Sequence, residues 1–410
     1  MDLNQILKEE LEKIKPSKEY ISSIKSKADE VVKKLSQSNI TAIIGGSLAK
    51  GTLVKSTQKQ DIDIFLVFED ESQIKKLGEK LKKIKLNGRV KTIHGSRDYF
   101  QIEKDNLTLE LVPVLKDTDP KFAENVTDIS LNHVKYITSK IKKNPEISDE
   151  ILLSKHFFKA NKIYGAESYI KGFSGYSLEV LTIYFGSFIN LLKNLPKKYF
   201  IDPEKLFKNE AEANREINTS KLTGPILLID PTYKYRNISA GLGKETFEKF
   251  KILSKEFLKR PSKDFFTIKQ VDFEKLKSLS LSKKARLLSL DLSTDRQEGN
   301  IAGTKMKKLL DFFIRELNRK GQEVLISEFE YSNTGKNAKA YIIVKENSEI
   351  LVKGPPVKMN EAVKFFRKDK TNTFEKRGII YSKEKITVEE ILNHVQKTES
   401  DMGARIKLSS

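Results

Sequence analysis

Two aspartates stand two residues apart in the run DIDIF, and they constrain the fold more than any other feature of the chain. The run is typical of a β-strand. Because strand side chains alternate between two faces, Asp61 and Asp63 project to the same side. Ile62 and Ile64 then project to the other side, into a core. The sequence therefore predicts a half-buried sheet with a pair of carboxylates on one face.

The paired carboxylates predict a cation site. Two like charges about 4 Å apart cost roughly 4 kcal/mol even at an effective dielectric of about 20, and a cation between them relieves that cost. The chain has no cysteine, and its 4 histidines are scattered, so the ligands would be oxygens, which suit Mg²⁺. Glu110, in the β-pattern LTLELVPV, is the expected third ligand. The alternative is that all three carboxylates lie on solvated strand faces.

A glycine-rich loop, GGSLAKGT, precedes the aspartate pair. Its backbone N–H groups from Gly46 onward, the Ser47 hydroxyl and the Lys50 ammonium would together form a phosphate cradle. The loop lacks the lysine of GxxxxGK[ST] and the spacing of GxGxxG, so it is neither a P-loop nor a dinucleotide fingerprint. An ordinary turn remains the alternative.

The net charge favours a polyanionic partner. There are 76 lysine and arginine residues against 56 acidic ones, a formal charge of +20, although a lysine-rich surface without such a partner has the same composition. The absence of cysteine excludes disulfides, zinc–thiolate sites and iron–sulfur clusters. The longest apolar run, near residues 180–192, is too short to span a bilayer, and the N-terminal residues have no apolar signal core. We therefore expect a cytoplasmic protein with no membrane partner.

Periodicity predicts the order of the elements, and a length of 410 residues predicts two to four domains. Two amphipathic helices separated at Pro16 open the chain, and strands follow, with one lysine-rich helix over residues 72–84. Residues 148–195 are typical of helices, and residues 225–238 are rich in turn formers. From residue 286 the order strand–helix–strand–strand–helix, with the last helix at residues 361–367, suits a split βαβ unit, a common RNA-contacting module. A further helix is expected at residues 388–396.

Together the motifs resemble a known superfamily. GSLAKGT, then DID, then a distant acidic residue on a strand is similar to the DNA polymerase β-like nucleotidyltransferases. The strings IYGAESYIKGFSGYSLEVL and DPTYKYRNISAGL resemble the second-domain signatures of archaeal, class I CCA-adding enzymes. The resemblance covers essentially the whole chain. It implies an α/β and α+β multidomain fold: a nucleotidyltransferase head at residues 1–142, a helical neck for base recognition at residues 143–256, and a ferredoxin-like or RRM-like body and tail at residues 257–410.

The resemblance also implies an activity. Such an enzyme adds C, C and A to the 3′ end of tRNA from CTP and ATP without a template, by Mg²⁺-dependent, two-metal transfer that releases pyrophosphate. Its partners are tRNA lacking all or part of CCA, CTP and ATP, with a homodimer allowed. Two alternatives stay open. One is a related oligo- or poly(A)-type nucleotidyltransferase, and the other is a catalytically silent RNA-binding protein on the same fold.

Carried over residue by residue, the resemblance assigns roles to individual side chains. The metal ligands and catalytic residues are Asp61, Asp63 and Glu110. The nucleotide-binding residues are Gly46, Ser47, Lys50, Ser130, His133, Lys155, Tyr164 and Arg236, of which Arg236 would contact the incoming base, Ser130 would lie near the ribose and the others near the triphosphate. The tRNA-binding residues expected in the C-terminal half are Lys283, Lys284, Arg286, Lys308 and Arg315.

Three positions depart from the family pattern. Lys50 stands where the family usually has arginine, and an ammonium lacks bidentate phosphate geometry. Glu110 replaces the more usual aspartate and reaches one methylene further. Ser130 keeps only the hydroxyl of the family's threonine.

Plainer roles are open for the neck residues. Lys155 and Lys159 are four residues apart and would also make a solvated helix face. Arg236 would also make a structural ion pair with nearby Asp230, His133 would also suit the surface or a helix cap, and Tyr164 would also suit the core. Lys155 and Tyr164 are nine residues apart, about two and a half helical turns. Both reach one ligand only if the helix ends before Tyr164 or the ligand spans it.

Overall fold

The computed structural model describes residues 2–56, 59–86, 88–95, 97–116, 125–347, 349–384 and 386–409. The chain divides into two compact units. The first comprises residues 1–166 and 170–268, and the second comprises residues 167–169 and 269–410. The limits of the three predicted domains stay predictions, because both the head and the neck fall within the first unit.

The N-terminal part of the first unit surrounds a five-stranded sheet. Its elements are α1 (Leu3–Ile14), α2 (Lys18–Gln37), β1 (Thr41–Ile44), α3 (Gly46–Lys50), β2 (Gln60–Phe68), α4 (Glu71–Lys75), α5 (Leu77–Lys83), β3 (Val90–Ile93), β4 (Tyr99–Lys104), β5 (Leu107–Leu115) and α6 (Ser130–Lys143). Pro16 separates the first two helices as predicted, and the Ser17 hydroxyl caps α2 by accepting the Tyr20 N–H at 3.2 Å.

The single lysine-rich helix predicted over residues 72–84 is wrong, because two short helices, α4 and α5, meet at Lys76. Gly78 follows the break, and a Cβ there would lie 3.3 Å from the Phe100 ring. The backbone therefore approaches the sheet closely at this point, and the change of direction at Lys76 allows it.

The sheet has the strand order β1-β2-β5-β4-β3. Strands β2 and β5 are parallel, and the other pairs are antiparallel. Ile62 and Ile64 are 1% and 0% exposed, so they face the core as predicted. Because alternate residues face opposite sides, β2 presents Asp61 and Asp63 on the other face.

The remainder of the first unit is mostly helical. Its elements are α7 (Ile147–Ala160), α8 (Gly175–Phe185), α9 (Phe188–Asn194), β6 (Phe200–Ile201), α10 (Glu210–Glu216), β7 (Leu227–Asp230), β8 (Tyr233–Asn237) and α11 (Lys244–Lys259). The turn-rich run at residues 225–238 forms the hairpin β7-β8, which joins β6 in a three-stranded sheet. Fully buried phenylalanines, among them Phe157 and Phe250, build the core here, and Ile6 of α1 packs into it. The predicted limit at residue 256 lies inside α11.

The second unit holds two sheets. Its elements are α12 (Phe273–Ser282), β9 (Arg286–Ser293), α13 (Asn300–Arg319), β10 (Glu323–Glu330), β11 (Asn337–Lys345), β12 (Ile350–Pro356), α14 (Asn360–Asp369), β13 (Thr373–Lys376), β14 (Ile379–Glu384), α15 (Val388–Gln396), α16 (Glu399–Met402) and β15 (Arg405–Leu408). The larger sheet has the order β10-β11-β9-β15 and is antiparallel throughout. With α13 and α15 it forms the predicted split βαβ, ferredoxin-like arrangement.

One element of that prediction is misplaced. The helix predicted at residues 361–367 is α14, which packs on the smaller sheet, β12-β14-β13. The second helix of the split βαβ unit is α15, which packs on α13. The sequence therefore inserts a small sheet and helix between β11 and α15. In the described residues of both units, no helix is long and apolar enough to cross a membrane.

Candidate active site

The three predicted carboxylates lie on neighbouring strands of the five-stranded sheet. Asp63 on β2 is directly opposite Glu110 on the parallel strand β5, and Asp61 precedes Asp63 by two residues on the same face. Glu110 accepts a hydrogen bond from Gln101 Nε2 at 2.8 Å, and the Thr108 hydroxyl is hydrogen-bonded to Asp61. The structure thus brings together all three residues that the sequence predicted as metal ligands.

Burial and mutual repulsion set the protonation of this group. Burial raises the pKa of Glu110 to about 7, and the Asp63 carboxylate adds to the rise. Burial also raises the pKa of Asp63, opposed by the Lys50 ammonium and reinforced by the Asp61 carboxylate. The pKa of Asp61 is raised by burial as well, against the hydrogen bond from Thr108. A cation bound here would relieve the repulsion that makes ionisation costly.

The donor set fits a hard divalent cation. It consists of carboxylate oxygens from a rigid sheet, and Mg²⁺ prefers such ligands. Within the described part of the chain, no three histidine or acidic side chains already enclose a space for an ion. Mg²⁺ commonly completes its ligand set with water and substrate phosphate, and a metal held by these carboxylates would do the same.

The Gly45-Gly46 pair lets the loop lie directly against β2. Gly46 has φ +55°, a left-handed conformation, and a Cβ on it would overlap the Asp63 carboxylate. A Cβ on Gly45 would overlap the Phe65 ring, and the Gly45 N–H donates to the Asp63 carbonyl oxygen at 2.8 Å. The two glycines therefore place α3, with Lys50 at its end, beside the carboxylates.

A cavity of about 350 Å³ opens next to Asp63 and Glu110. Four of the predicted nucleotide-binding residues also line it, namely Gly46, Lys50, Ser130 and His133. Among the described residues, the lining leaves out Asp61, Ser47, Lys155, Tyr164 and Arg236. Tyr176 and Arg97 contribute to the wall without having been predicted. The structure therefore brings together about half of the predicted set in one pocket.

Lys155 is buried behind this pocket rather than exposed in it. The residue is 3% exposed, and its ammonium donates to the Thr52 carbonyl at 3.0 Å, the Thr52 hydroxyl at 3.0 Å and Glu179 Oε1 at 2.7 Å. These contacts use all three of its N–H donors. The solvated helix face that the sequence left open for Lys155 is thus wrong, and its predicted contact with the triphosphate stays a prediction.

Glu179 joins this cluster from α8, and the sequence analysis missed it. Its side chain is 0% exposed and also accepts a hydrogen bond from Lys50 Nζ at 2.6 Å. Burial would raise the pKa of Glu179, but Lys155 and Lys50 outweigh it and lower that pKa to about 2. Burial lowers the pKa of Lys155 to about 8. The sequence did contain a signal for Glu179, because it is a lone glutamate in the apolar run SLEVL. Glu110 was identified in the same way, from its apolar neighbours in LTLELVPV.

The end of α7 presents a different cation to the carboxylates. Lys159 lies one turn after Lys155 and is exposed, and its ammonium is 5.0 Å from the centre of the Tyr164 ring. Its charge opposes the raised pKa of Asp61. The helix ends at Ala160, so Tyr164 lies outside it. The helical geometry that would have turned Tyr164 away from the side of Lys155 therefore does not apply.

A second buried cluster holds His133 and Arg236. His133 stacks on Tyr176 with ring centres 3.8 Å apart, and its Nε2 lies 3.0 Å from Asp230 Oδ2. The Arg236 guanidinium lies 3.3 Å from the same Asp230 oxygen, so the ion pair left open by the sequence is present. Tyr176 donates to Asp230 Oδ1 at 3.2 Å. The Arg236 side chain is 25% exposed, so part of it reaches solvent.

The predicted tRNA contacts are all exposed but do not share one surface. They are Lys283, Lys284, Arg286, Lys308 and Arg315. Arg286 is paired with Glu346 at 3.1 Å and Glu389 at 2.7 Å, so its charge is already compensated. Lys283 and Lys284 follow α12, which packs on the sheet face carrying Tyr341, whereas α13, which carries Lys308 and Arg315, packs on the opposite face.

Comparisons with known proteins agree with this architecture. Residues 149–267 match the family described as tRNA nucleotidyltransferase, second domain, and residues 1–148 match the Second Messenger Oligonucleotide or Dinucleotide Synthetase domain. A cytoplasmic RNA terminal U-transferase of known structure has a TM-score of 0.52 and 11% identity, covering 66% of this chain and 99% of its own. At that identity the likeness concerns the fold alone.

Two relatives extend the comparison to the sequence. The CCA-adding enzyme of Nanoarchaeum equitans is 32% identical over 382 residues, which is 92% of this chain and 89% of the relative. The CCA-adding enzyme of Methanocaldococcus jannaschii is 34% identical over 283 residues, which is 65% of this chain and 62% of the relative. With the nucleotidyltransferase fold and the carboxylate-lined pocket in place, this chain belongs to the family of CCA-adding enzymes.

Proposed function

We propose that this protein adds C, C and A to the 3′ end of tRNA from CTP and ATP without a nucleic-acid template. One observation carries the proposal: a chain that matches a CCA-adding enzyme over 92% of its length places Asp63 and Glu110 in the wall of a cavity of about 350 Å³, with Asp61 on the same strand face. A cavity of that size, next to cationic side chains, suits a nucleoside triphosphate.

Asp61, Asp63 and Glu110 would hold the metal. Nucleotidyltransferases of this kind generally use divalent ions, and the oxygen-only donor set favours Mg²⁺. When bound, the metal supplies positive charge that favours the ionised attacking hydroxyl and offsets charge on the leaving pyrophosphate. The protein contributes a rigid sheet that keeps the three carboxylates together before the ligand arrives, so little reorganisation is needed during the reaction.

The triphosphate would lie between α3 and the end of α7. Lys50 lines the cavity, and in the described residues its ammonium makes one hydrogen bond, so two of its three N–H donors are available to phosphate oxygens. Ser47 and exposed Lys159 supply a hydroxyl and a second cation. The tRNA 3′-hydroxyl would release its proton to solvent, and its oxygen would bond the α-phosphorus. The bond to the bridging oxygen would break, and its electron pair would leave with pyrophosphate.

Base selection would come from the cluster around Asp230. That buried carboxylate fixes Arg236 and His133, so that the guanidinium N–H groups have a defined direction. A planar guanidinium donates to the N3/O2 edge of cytosine or to the N1 side of adenine, whereas the matching edges of guanine and uracil carry an N–H donor.

The RNA contacts, the cellular location and the oligomeric state are proposed from the sequence. We keep Lys308 and Arg315 on α13 as contacts to the tRNA backbone, because A-form RNA is recognised mainly through its shape and phosphates. A cytoplasmic location and a homodimer are likewise proposed from the composition and the family.

Extension of a tRNA transcript that ends at the discriminator base tests the proposal. Wild-type protein with Mg²⁺, CTP and ATP is expected to lengthen the transcript by three nucleotides, and Asp63→Asn is expected to abolish extension. Asp105→Asn is the matched control, since Asp105 lies in an exposed turn, where it pairs with Lys27 at 2.7 Å. If the wild-type protein binds the tRNA tightly but does not extend it, the proposed activity is refuted and the chain is a silent RNA-binding protein.

A further inference from the structure

The Glu179 carboxylate ties together two ammonium groups from distant parts of the first unit. Oε1 accepts hydrogen bonds from the Thr52 hydroxyl at 2.6 Å and from Lys155 at 2.7 Å. Oε2 accepts one from Lys50 at 2.6 Å. Since Glu179 and Thr52 are 0% exposed, the carboxylate is fixed in a dry environment with both oxygens bonded.

The cluster is not neutral. Lys50 and Lys155 carry two positive charges, and Glu179 supplies one negative charge, which leaves a net charge of +1. Of the three, Lys50 alone lines the cavity, with a side chain that is 11% exposed. The Lys50 ammonium is therefore displayed at the wall of the proposed nucleotide pocket, beside Asp63 and Glu110, where it is placed to bind a phosphate oxygen.

Lys50 depends on Glu179 for its orientation. A lysine side chain has four methylenes and many rotamers, so an unrestrained ammonium would spend much of its time away from any one point. Glu179 restrains it with one hydrogen bond and leaves two donors. Lys155 and Thr52 in turn fix Glu179, and they use all the donors of Lys155 in doing so.

We propose that Glu179 is a positioning residue for nucleotide binding, which holds the Lys50 ammonium at the pocket wall for the triphosphate without touching the nucleotide itself. This proposal rests on the proposed function, because it takes the cavity to be the nucleoside triphosphate site. Lys155 then acts behind Lys50, as the buried partner that keeps Glu179 ionised and in place.

A positioning role and a counter-charge role predict opposite effects of Glu179→Gln. The amide keeps the size of the side chain and can still accept from Thr52, but it removes the charge that holds Lys50. If Glu179 only reduced the local positive charge, its neutralisation would strengthen triphosphate binding. If it positions Lys50, binding weakens, and we expect the dissociation constant of CTP to rise about tenfold.

The test is calorimetric titration of the full chain with CTP and Mg²⁺ in the absence of tRNA, on wild type, Glu179→Gln, Lys50→Met and the double variant. Because Glu179 acts through Lys50, the glutamine change is expected to have no further effect on CTP affinity in the Lys50→Met protein. Glu179→Asp keeps the charge but is one methylene shorter, so it should weaken CTP binding by about threefold, less than Glu179→Gln does. Glu150→Gln is the control, a partly buried glutamate that accepts the Phe188 N–H at 2.7 Å outside the cluster.

Unchanged or tighter CTP binding by Glu179→Gln would overturn the proposal. An equal loss of CTP affinity from Glu179→Gln in the wild-type and the Lys50→Met proteins would overturn it as well. If Glu179→Gln does not fold, as judged by its melting transition, the same cycle with Glu179→Asp decides, because the shorter carboxylate should then alter CTP affinity only when Lys50 is present. Wild-type protein that binds CTP but does not extend tRNA would refute the proposed function and leave the positioning role standing. Wild-type protein that binds no CTP would overturn both.

Discussion

Replacement of Glu110 by glutamine should stabilise the metal-free protein at neutral and alkaline pH. Burial raises the pKa of Glu110 from 4.5 to about 7, so the folded state favours the protonated carboxyl. At about 1.4 kcal/mol for each unit of pKa, this corresponds to a folding penalty of about 3 kcal/mol once the group is ionised in both states. The value is an upper one, because Glu110 keeps partial contact with solvent.

The sign follows from the direction of the shift. Below pH 4.5 the carboxyl is protonated whether the chain is folded or unfolded, and Glu110 costs nothing. As the pH rises through 4.5 to about 7, the unfolded state releases its proton first, so the free energy of unfolding falls. Glutamine carries no charge at any pH, so the Glu110→Gln protein should match wild type near pH 4.5 and exceed it by up to about 3 kcal/mol at pH 8.

Urea denaturation of the full chain in a metal chelator, at several pH values between 4.5 and 8, measures this difference. Adding Mg²⁺ should stabilise wild type at pH 8 and have little effect on Glu110→Gln, since the ion relieves the same repulsion. Glu103→Gln is the control, because it removes one negative charge from the exposed side of the neighbouring strand β4. If Glu110→Gln instead lowers the free energy of unfolding by the same amount at pH 4.5 and at pH 8, ionised Glu110 does not carry the proposed folding penalty.

Three further predictions concern the loop, the base contact and the RNA surface. Gly46→Ala should abolish nucleotide addition because its Cβ would overlap Asp63, whereas Gly51→Ala, at φ +71° with open space around it, should cost only about 1 kcal/mol in the free energy of unfolding and keep activity. Arg236→Ala should erode the preference for CTP and ATP over GTP and UTP in single-nucleotide extension assays while leaving tRNA affinity unchanged. Lys308→Ala should lower the slope of log affinity against log salt by somewhat under one, and an unchanged slope would remove it from the RNA contacts.

Local pattern was sufficient to predict most of the elements. Alternation in DIDIF placed Ile62 and Ile64 in the core, and it placed the aspartates on the face where Glu110 also lies. Proline and helical periodicity located the break at Pro16, which the Ser17 cap reinforces. These features depend on a few neighbouring residues, so the sequence contains them directly.

Long-range partners could not be read in the same way. Lys50 and Glu179 are 129 residues apart, and no periodicity links the end of a short helix to a glutamate in a buried one. The resemblance assigned Lys155 to the triphosphate, and nothing in the sequence indicated that its three donors are directed at Thr52 and Glu179. The place of α15 in the split βαβ unit was missed for a similar reason, since an inserted sheet separates this helix from the strands that it covers.

The most direct test of the account is single-nucleotide addition to a tRNA transcript that ends at the discriminator base. A CCA-adding enzyme should add two nucleotides with CTP alone and none with ATP alone. When both are present, it should add a third nucleotide, A, and then stop. The Asp61→Ala/Asp63→Ala protein should make none of the three additions. If the protein extends the tRNA with ATP alone and continues past one residue, it is not a CCA-adding enzyme but a poly(A)-type nucleotidyltransferase.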